Sequence, residues 1–289
     1  IGLAGLHFGA VAPWQRVYCL GYYTLPGSTH RFRDWKPQGH GPVTLNDAIA
    51  QSCDVYFYEL ALKLGIDNMH DFLARFGLGH RTEVDIPAEK GGTLPSRQWK
   101  RDNFRRREDQ VWFPGETLIT GIGQGYLQTT PLQLAQMTAV IAKRGQGYRP
   151  MLVSAVTDPS TGETIEFEPQ ALPPVEVSDP AHWDAVINGM VEVMHGERGT
   201  GRAAAAGASY RMAGKSGTAQ VVNIAQDAKY DAEELDERLR DHALFIALAP
   251  MEDPAIVVSV VVENGGSGSG VAAPIARAVL DNYLLRDSQ

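Results

Sequence analysis

The chain predicts an α+β fold in which an antiparallel sheet covered by helices sits beside a mostly helical lobe. Three observations predict it. Much of the first two thirds carries helical periodicity, as at 44–65 and 131–145, whereas the last third holds three β-prone runs, "SYRMAGKSGTAQVV", "HALFIALAP" and "AIVVSVVVENG". A final helical stretch, 271–285, closes the chain. The 289 residues, 44% of them hydrophobic, suffice for a large core. No repeat, low-complexity tract or clean linker divides them, so one domain over 1–289 is expected.

Taken in order, the apolar start "IGLAGL" is compatible with a helix but has no capping residue before it, as if entered in mid-helix. At 44–65, Thr44 serves as a cap before Leu45, Ala48 and Ile49, and a second apolar stripe runs over 55–64. Ser52, Cys53 and Asp54 fall between the stripes. A short break there projects side chains into a cleft; the alternative is that Ser52 or Asp54 caps the following helix. Three more helices are expected in "NMHDFLARFGLG", "PLQLAQMTAVIAKRG" and "PAHWDAVINGMVEVMHG".

Residues 97–118 mix charge with aromatics and predict an irregular surface excursion. In it Lys100, Arg101, Arg105, Arg106 and Arg107 are interleaved with acids as a solvated loop. "GIGQGY" at 121–126 predicts a tight turn. The run "AIVVSVVV" is so uniformly apolar that both its faces should be covered, and the charged 223–241 should cross the surface. His242 is expected to pack at a strand start.

A formal net charge of −8 argues against a polyanion as principal partner, since nucleic-acid binding rests on dense basic surface. No apolar run is long enough to span a bilayer, and no signal peptide is recognisable.

The chemistry concentrates in "MAGKSGTAQVV". A phosphate loop would need glycine at Ser209 and a helix after Ser216, whereas the following residues are β-prone. The better reading is a strand edge that binds a carboxylate-bearing acyl substrate: Lys215 and the hydroxyls face the ligand, and Gly217 lets its backbone approach. Ser52, Cys53 and Asp54 are the companion set. Together, as Ser-Cys-Asp and Lys-Ser-Gly, they stand where two parts of the Ser-x-x-Lys, Ser-Asp-Asn and Lys-Thr-Gly set of penicillin-binding proteins and β-lactamases would be. The first part is absent: only Ser28 followed by Arg31 comes near, and arginine cannot serve as a base.

With motifs, order and context together, the chain resembles the transpeptidase domain of class B penicillin-binding proteins, most closely the rod-elongation type, penicillin-binding protein 2. The stretches "LPGSTHRFRDWKPQGHG", "SCDVYFYELALKLGID", "GIGQGYLQTTPLQLAQM", "AGKSGTAQV", "ERLRDHALFIALAP" and "VVVENGG" carry the resemblance in the family's order. It implies a penicillin-binding, serine β-lactamase-like fold: a five-stranded antiparallel sheet flanked by helices, with the active site between sheet and helical lobe. It places the nucleophilic serine just before Ile1, with a membrane anchor and pedestal further upstream, at the periplasmic face of the bacterial inner membrane. Asp54 stands where many members have asparagine, although the elongation branch is similar to this chain there.

The implied reaction is peptidoglycan cross-linking through a serine acyl-enzyme. Lys215 would draw the substrate carboxylate, Ser216 and Thr218 would donate hydrogen bonds to it, and Gly217 would keep the edge open. Ala219 and Gln220 continue the substrate-binding strand. The Thr218 N–H would serve the oxyanion hole. Ser52 would relay a proton and Asp54 would orient substrate or a nearby lysine. Implied partners are stem peptides, β-lactams and membrane proteins of the elongation complex, with no nucleic acid. Other readings are a non-catalytic β-lactam sensor or scaffold on the same fold, and a serine β-lactamase.

No cofactor is needed for catalysis. The only two cysteines, Cys19 and Cys53, together with Asp34 and His40, form a donor set suited to structural zinc. The alternatives are a Cys19 to Cys53 disulfide and two unrelated buried thiols. A metal here would fasten the Ser52 break to the preceding segment.

Overall fold

The computed structural model of the chain describes residues 1–222 and 235–286. Most of the charged crossing expected at 223–241 therefore lies outside the described residues. The chain opens with α1 (Gly2–His7), whose apolar side chains are buried. Two antiparallel ribbons follow. In them β1 (Val17–Cys19) pairs with β4 (Gly41–Val43), and β2 (Tyr22–Thr24) pairs with β3 (Arg31–Arg33). Next come α2 (Leu45–Gln51), α3 (Asp54–Leu64) and α4 (Ile66–Ala74). The Thr44 cap is realised as a capping box: Thr44 Oγ1 accepts from the Asp47 N–H while the Asp47 carboxylate accepts from the Thr44 N–H.

Residues 97–118 are more regular than expected. They hold α5 (Arg97–Asn103), capped by Ser96, and most of α6 (Pro114–Gly121). Lys100 is 3% exposed rather than solvated. Its Nζ donates to the Val111 carbonyl at 2.7 Å and pairs with Glu116. The rings of Phe104, Trp112, Phe113 and Tyr126 surround it at 5.2–5.7 Å. Cation–π contacts and a carboxylate thus compensate its desolvation, a solution that neighbouring charges in the sequence could not reveal. Arg101, Arg105, Arg106 and Arg107 are exposed, as read.

After α7 (Pro131–Ala142) an exposed ribbon of β5 (Ala155–Thr157) and β6 (Thr164–Glu166) leads to α8 (Ala181–His195) and the short α9 (Arg202–Ala205). The main sheet is β7 (Ala213–Ala219), β8 (His242–Ala249) and β9 (Ile256–Val262), antiparallel in that order. A π-helical turn at Gly268–Ala272 leads into the closing α10 (Ala273–Leu284). The sheet has three strands among the described residues, not five. The other six strands are three residues each and pair with one another as separate ribbons, so none extends the sheet. β9 is also less covered than its composition implies: α7 and α10 pack against it, yet only Val258 is fully buried.

α8 joins the two halves because it packs on both α2 and β7. A Cβ at Gly189 would lie 2.9 Å from Ile49 Cδ1, so glycine there sets how closely α8 approaches α2. Likewise, a Cβ at Gly121 would stand 2.4 Å from Ala61 Cβ, which brings α6 tight against α3. No helix among the described residues is long and apolar enough to cross a membrane.

Candidate functional site

The site forms where α2 ends. Ser52 takes left-handed backbone angles, φ 55° and ψ 50°, uncommon for a residue with a side chain. Its N–H donates to the Ile49 carbonyl and the Cys53 N–H to the Ala48 carbonyl, which closes α2 before α3 starts. Neither Ser52 nor Asp54 caps α3: its N-cap is Cys53, without a side-chain hydrogen bond. The Ser52 hydroxyl instead accepts from Lys215 Nζ at 2.5 Å. The break and the β7 strand therefore face one groove.

Lys215 also donates to the Ser216 carbonyl at 2.9 Å. The Ser216 hydroxyl lies 3.3 Å from Thr200 Oγ1, and the Thr200 N–H donates to the Ala50 carbonyl at 3.2 Å. Thr200 thus ties the loop after α8 to both the end of α2 and the middle of β7. Along β7, Gly217 pairs with Leu244, Thr218 with Ala243 and Ala219 with His242. Gln220 follows the strand, and its N–H donates to Gln124 Oε1 at 3.3 Å. Strand, break and the 121–126 turn converge; the turn itself contains Gly123 and Gly125 at positive φ.

A second layer holds the break in place. The Trp35 N–H donates to the Asp54 carboxylate at 3.0 Å, Trp35 Nε1–H donates to the Gln51 carbonyl at 3.0 Å, and Asp34 accepts from the Val55 N–H at 3.2 Å. Trp35, Thr200 and Gln124 were not singled out from sequence. Their partners in the site lie 16 residues away at the nearest, and for Gln124 as far as 96, where no periodicity betrays them.

Burial dominates the electrostatics. It pushes the Asp54 carboxyl up to about 7, helped by the negative Asp34 and opposed by the Trp35 N–H and by Lys215. It pushes the Lys215 ammonium down to about 8, opposed by Asp54. Burial thus moves the two groups toward each other from their ordinary values.

Beside the break, Cys19, Asp34, His40 and Cys53 each offer one ligand atom, all within 4.8 Å of one another. Cys19 Sγ is 3.4 Å from Asp34 Oδ2 and 3.5 Å from His40 Nδ1, and His40 Nδ1 is 3.5 Å from Asp34 Oδ1. A tetrahedron with metal–ligand bonds of about 2.0–2.3 Å has edges of about 3.3–3.8 Å, so these three contacts suit a metal, while a donor pair as wide as 4.8 Å would have to draw in to bind it. Both thiols are free and buried, and burial pushes them up. His242 starts β8, and its Nδ1 accepts from the Asn264 N–H at 2.9 Å.

The family model of the penicillin binding protein transpeptidase domain matches residues 1–281. The chain belongs to that family.

Among curated relatives of this transpeptidase domain, peptidoglycan D,D-transpeptidase MrdA of Haemophilus influenzae is 42% identical over 286 residues, covering 98% of this chain and 43% of the relative. MrdA of Escherichia coli K12 is 34% identical over 288 residues, covering 100% and 44%. The chain thus spans less than half the length of these relatives. Among solved structures, Pseudomonas aeruginosa PBP2 in complex with WCK 5153 matches with a TM-score of 0.83 at 48% identity, over 98% of this chain and 56% of that one. The complex of PBP2 and MreC from Helicobacter pylori matches with a TM-score of 0.81 at 30% identity, over 98% and 48%. The resemblance to penicillin-binding protein 2 stands, as does the α+β transpeptidase fold.

Proposed function

We propose that this transpeptidase domain cross-links peptidoglycan stem peptides through a serine acyl-enzyme during cell elongation, and that β-lactams intercept it. The contact between Lys215 and Ser52 carries the reading, because it joins the two motifs across one groove. The nucleophile is the Ser-x-x-Lys serine, on residues preceding Ile1. Its oxygen bonds to the carbonyl between two D-alanines while its proton passes to a base. The C–N bond then breaks, and D-alanine leaves after taking a proton. A neighbouring stem's amine attacks the ester, forming the cross-link amide and returning a proton to the serine. Ser52 relays protons with Lys215, and Asp54 orients the lysines or substrate. Lys215, Ser216 and Thr218 receive the terminal carboxylate, Gly217 and Ala219 leave the edge clear, and the Thr218 N–H stabilises the oxyanion.

Zinc is the ion we assign to Cys19, Asp34, His40 and Cys53, since two thiols and an imidazole favour it over harder cations. Bound there, it would hold β1 and the 34–40 loop to the break, as a structural ion rather than a reactant. MrdA proteins and the PBP2–MreC complex support placement at the periplasmic face of the inner membrane, among elongation proteins. Mass spectrometry of the longer parent protein after penicillin exposure tests the reading. A stable acyl adduct on one serine upstream of Ile1 is expected. A folded protein without an adduct would instead be a non-catalytic scaffold.

A further inference from the structure

Among the described residues, β7 pairs with β8 along one side only. On its other side Gln124 Nε2 donates to the Thr218 carbonyl at 2.6 Å, and Gln124 Oε1 accepts from the Gln220 N–H at 3.3 Å. One carboxamide thus makes the two hydrogen bonds that a neighbouring strand's peptide groups would make. Its backbone is fixed, because the Gln124 N–H donates to the Ile119 carbonyl at 3.0 Å and α6 is packed on α3. Only the half-buried side chain needs to turn for the edge to open.

We propose that Gln124 is a latch on the β7 edge that the acyl donor must displace, which makes it a positioning residue selective for donors bearing an amide N–H. The inference rests on the reading above, in which the reacting carbonyl sits on the Thr218 N–H. When a peptide adds antiparallel to a strand edge, the residue opposite exchanges both hydrogen bonds with its partner. The donor residue whose carbonyl accepts from the Thr218 N–H therefore directs its own N–H at the Thr218 carbonyl. Gln124 already holds that carbonyl. A donor without this N–H binds the oxyanion position and leaves the latch closed.

The experiment uses the longer protein carrying the upstream serine, in wild-type, Q124A and Q124N forms. Asparagine keeps the amide but is too short to bridge Thr218 and Gln220, so Q124N carries the test if Q124A melts early. Second-order acylation rates are measured with a penicillin, whose acylamino group offers an N–H, and with a carbapenem, whose hydroxyethyl substituent offers none. Both variants should accelerate penicillin acylation by roughly threefold to tenfold, the scale of a neutral hydrogen bond that no longer has to be given up, and leave the carbapenem rate unchanged. Equal changes with both probes, or slower penicillin acylation, would overturn the latch and leave Gln124 a structural tie. Failure of both probes to acylate the wild type would defeat the transpeptidase reading itself, and the latch with it.

Discussion

Lys215 Nζ stands 2.5 Å from Ser52 Oγ although 163 residues separate them in the chain. The closeness follows from packing: α8 lies against α2 on one side and β7 on the other, so the end of the helix and the strand edge are held across one groove. A left-handed turn at Ser52 aims the hydroxyl into that groove, and Trp35 and Asp34 brace the turn from behind.

Removing the cation should cripple capture of a carboxylate. A hydrogen bond to a charged group contributes about 1.5–3 kcal/mol, so Lys215→Ala in the longer protein should slow acylation by penicillin roughly 10- to 100-fold. Lys215→Arg should recover only part of the loss, since a planar fork cannot reproduce a point donor to both Ser52 and the Ser216 carbonyl. Rates read from fluorescent-penicillin labelling decide it.

The depressed Lys215 pKa gives two pH trends of opposite sign. Between about 8 and its ordinary 10.5 the unfolded chain holds a proton that the folded one has released. Unfolding free energy should therefore rise with pH across that window. Carboxylate capture should fall over the same range, because the charge that attracts it is lost. Urea melts and acylation rates compared with Lys215→Met, which lacks the titration, separate the two trends from those of other groups.

The four-residue donor set should bind one zinc per chain. Elemental analysis should find it in wild type and not in Cys53→Ser or His40→Ala, and chelation should reproduce the variants' loss of stability. Each kcal/mol of linkage lost lowers Tm by about 2–4 °C in a domain this size. Zinc-free protein with the two thiols joined as a disulfide would refute the assignment.

Close approach of α6 to α3 predicts a steric penalty. Gly121→Ala gains up to about 1 kcal/mol of helix propensity but drives a methyl into Ala61. Overpacking of this kind costs about 1–3 kcal/mol, so the urea midpoint should fall with little change in slope.

What the sequence made legible was local or patterned. Thr44 announces α2 as a cap before an apolar stripe, the gap at 52–54 marks the break between two such stripes, and β7 to β9 follow β-prone runs. Long-range compensation was hidden. Aromatics and acids are interleaved near Lys100 in the chain, but their spacing does not say that three of those rings, Tyr126 and a carboxylate gather around it, and Gln124 reads as part of a turn until the strand edge is seen beside it. The sheet's breadth was inferred from family likeness rather than from strand length, and three-residue strands cannot supply it.

The claim on which the rest depends is that Ser52 and Lys215 act as one unit, and a double-mutant cycle on penicillin acylation measures that directly. Ser52→Ala and Lys215→Ala should each cause most of the loss seen in the double variant, because removing either breaks the same relay. Losses that simply multiply would show two independent groups and contradict a shared site.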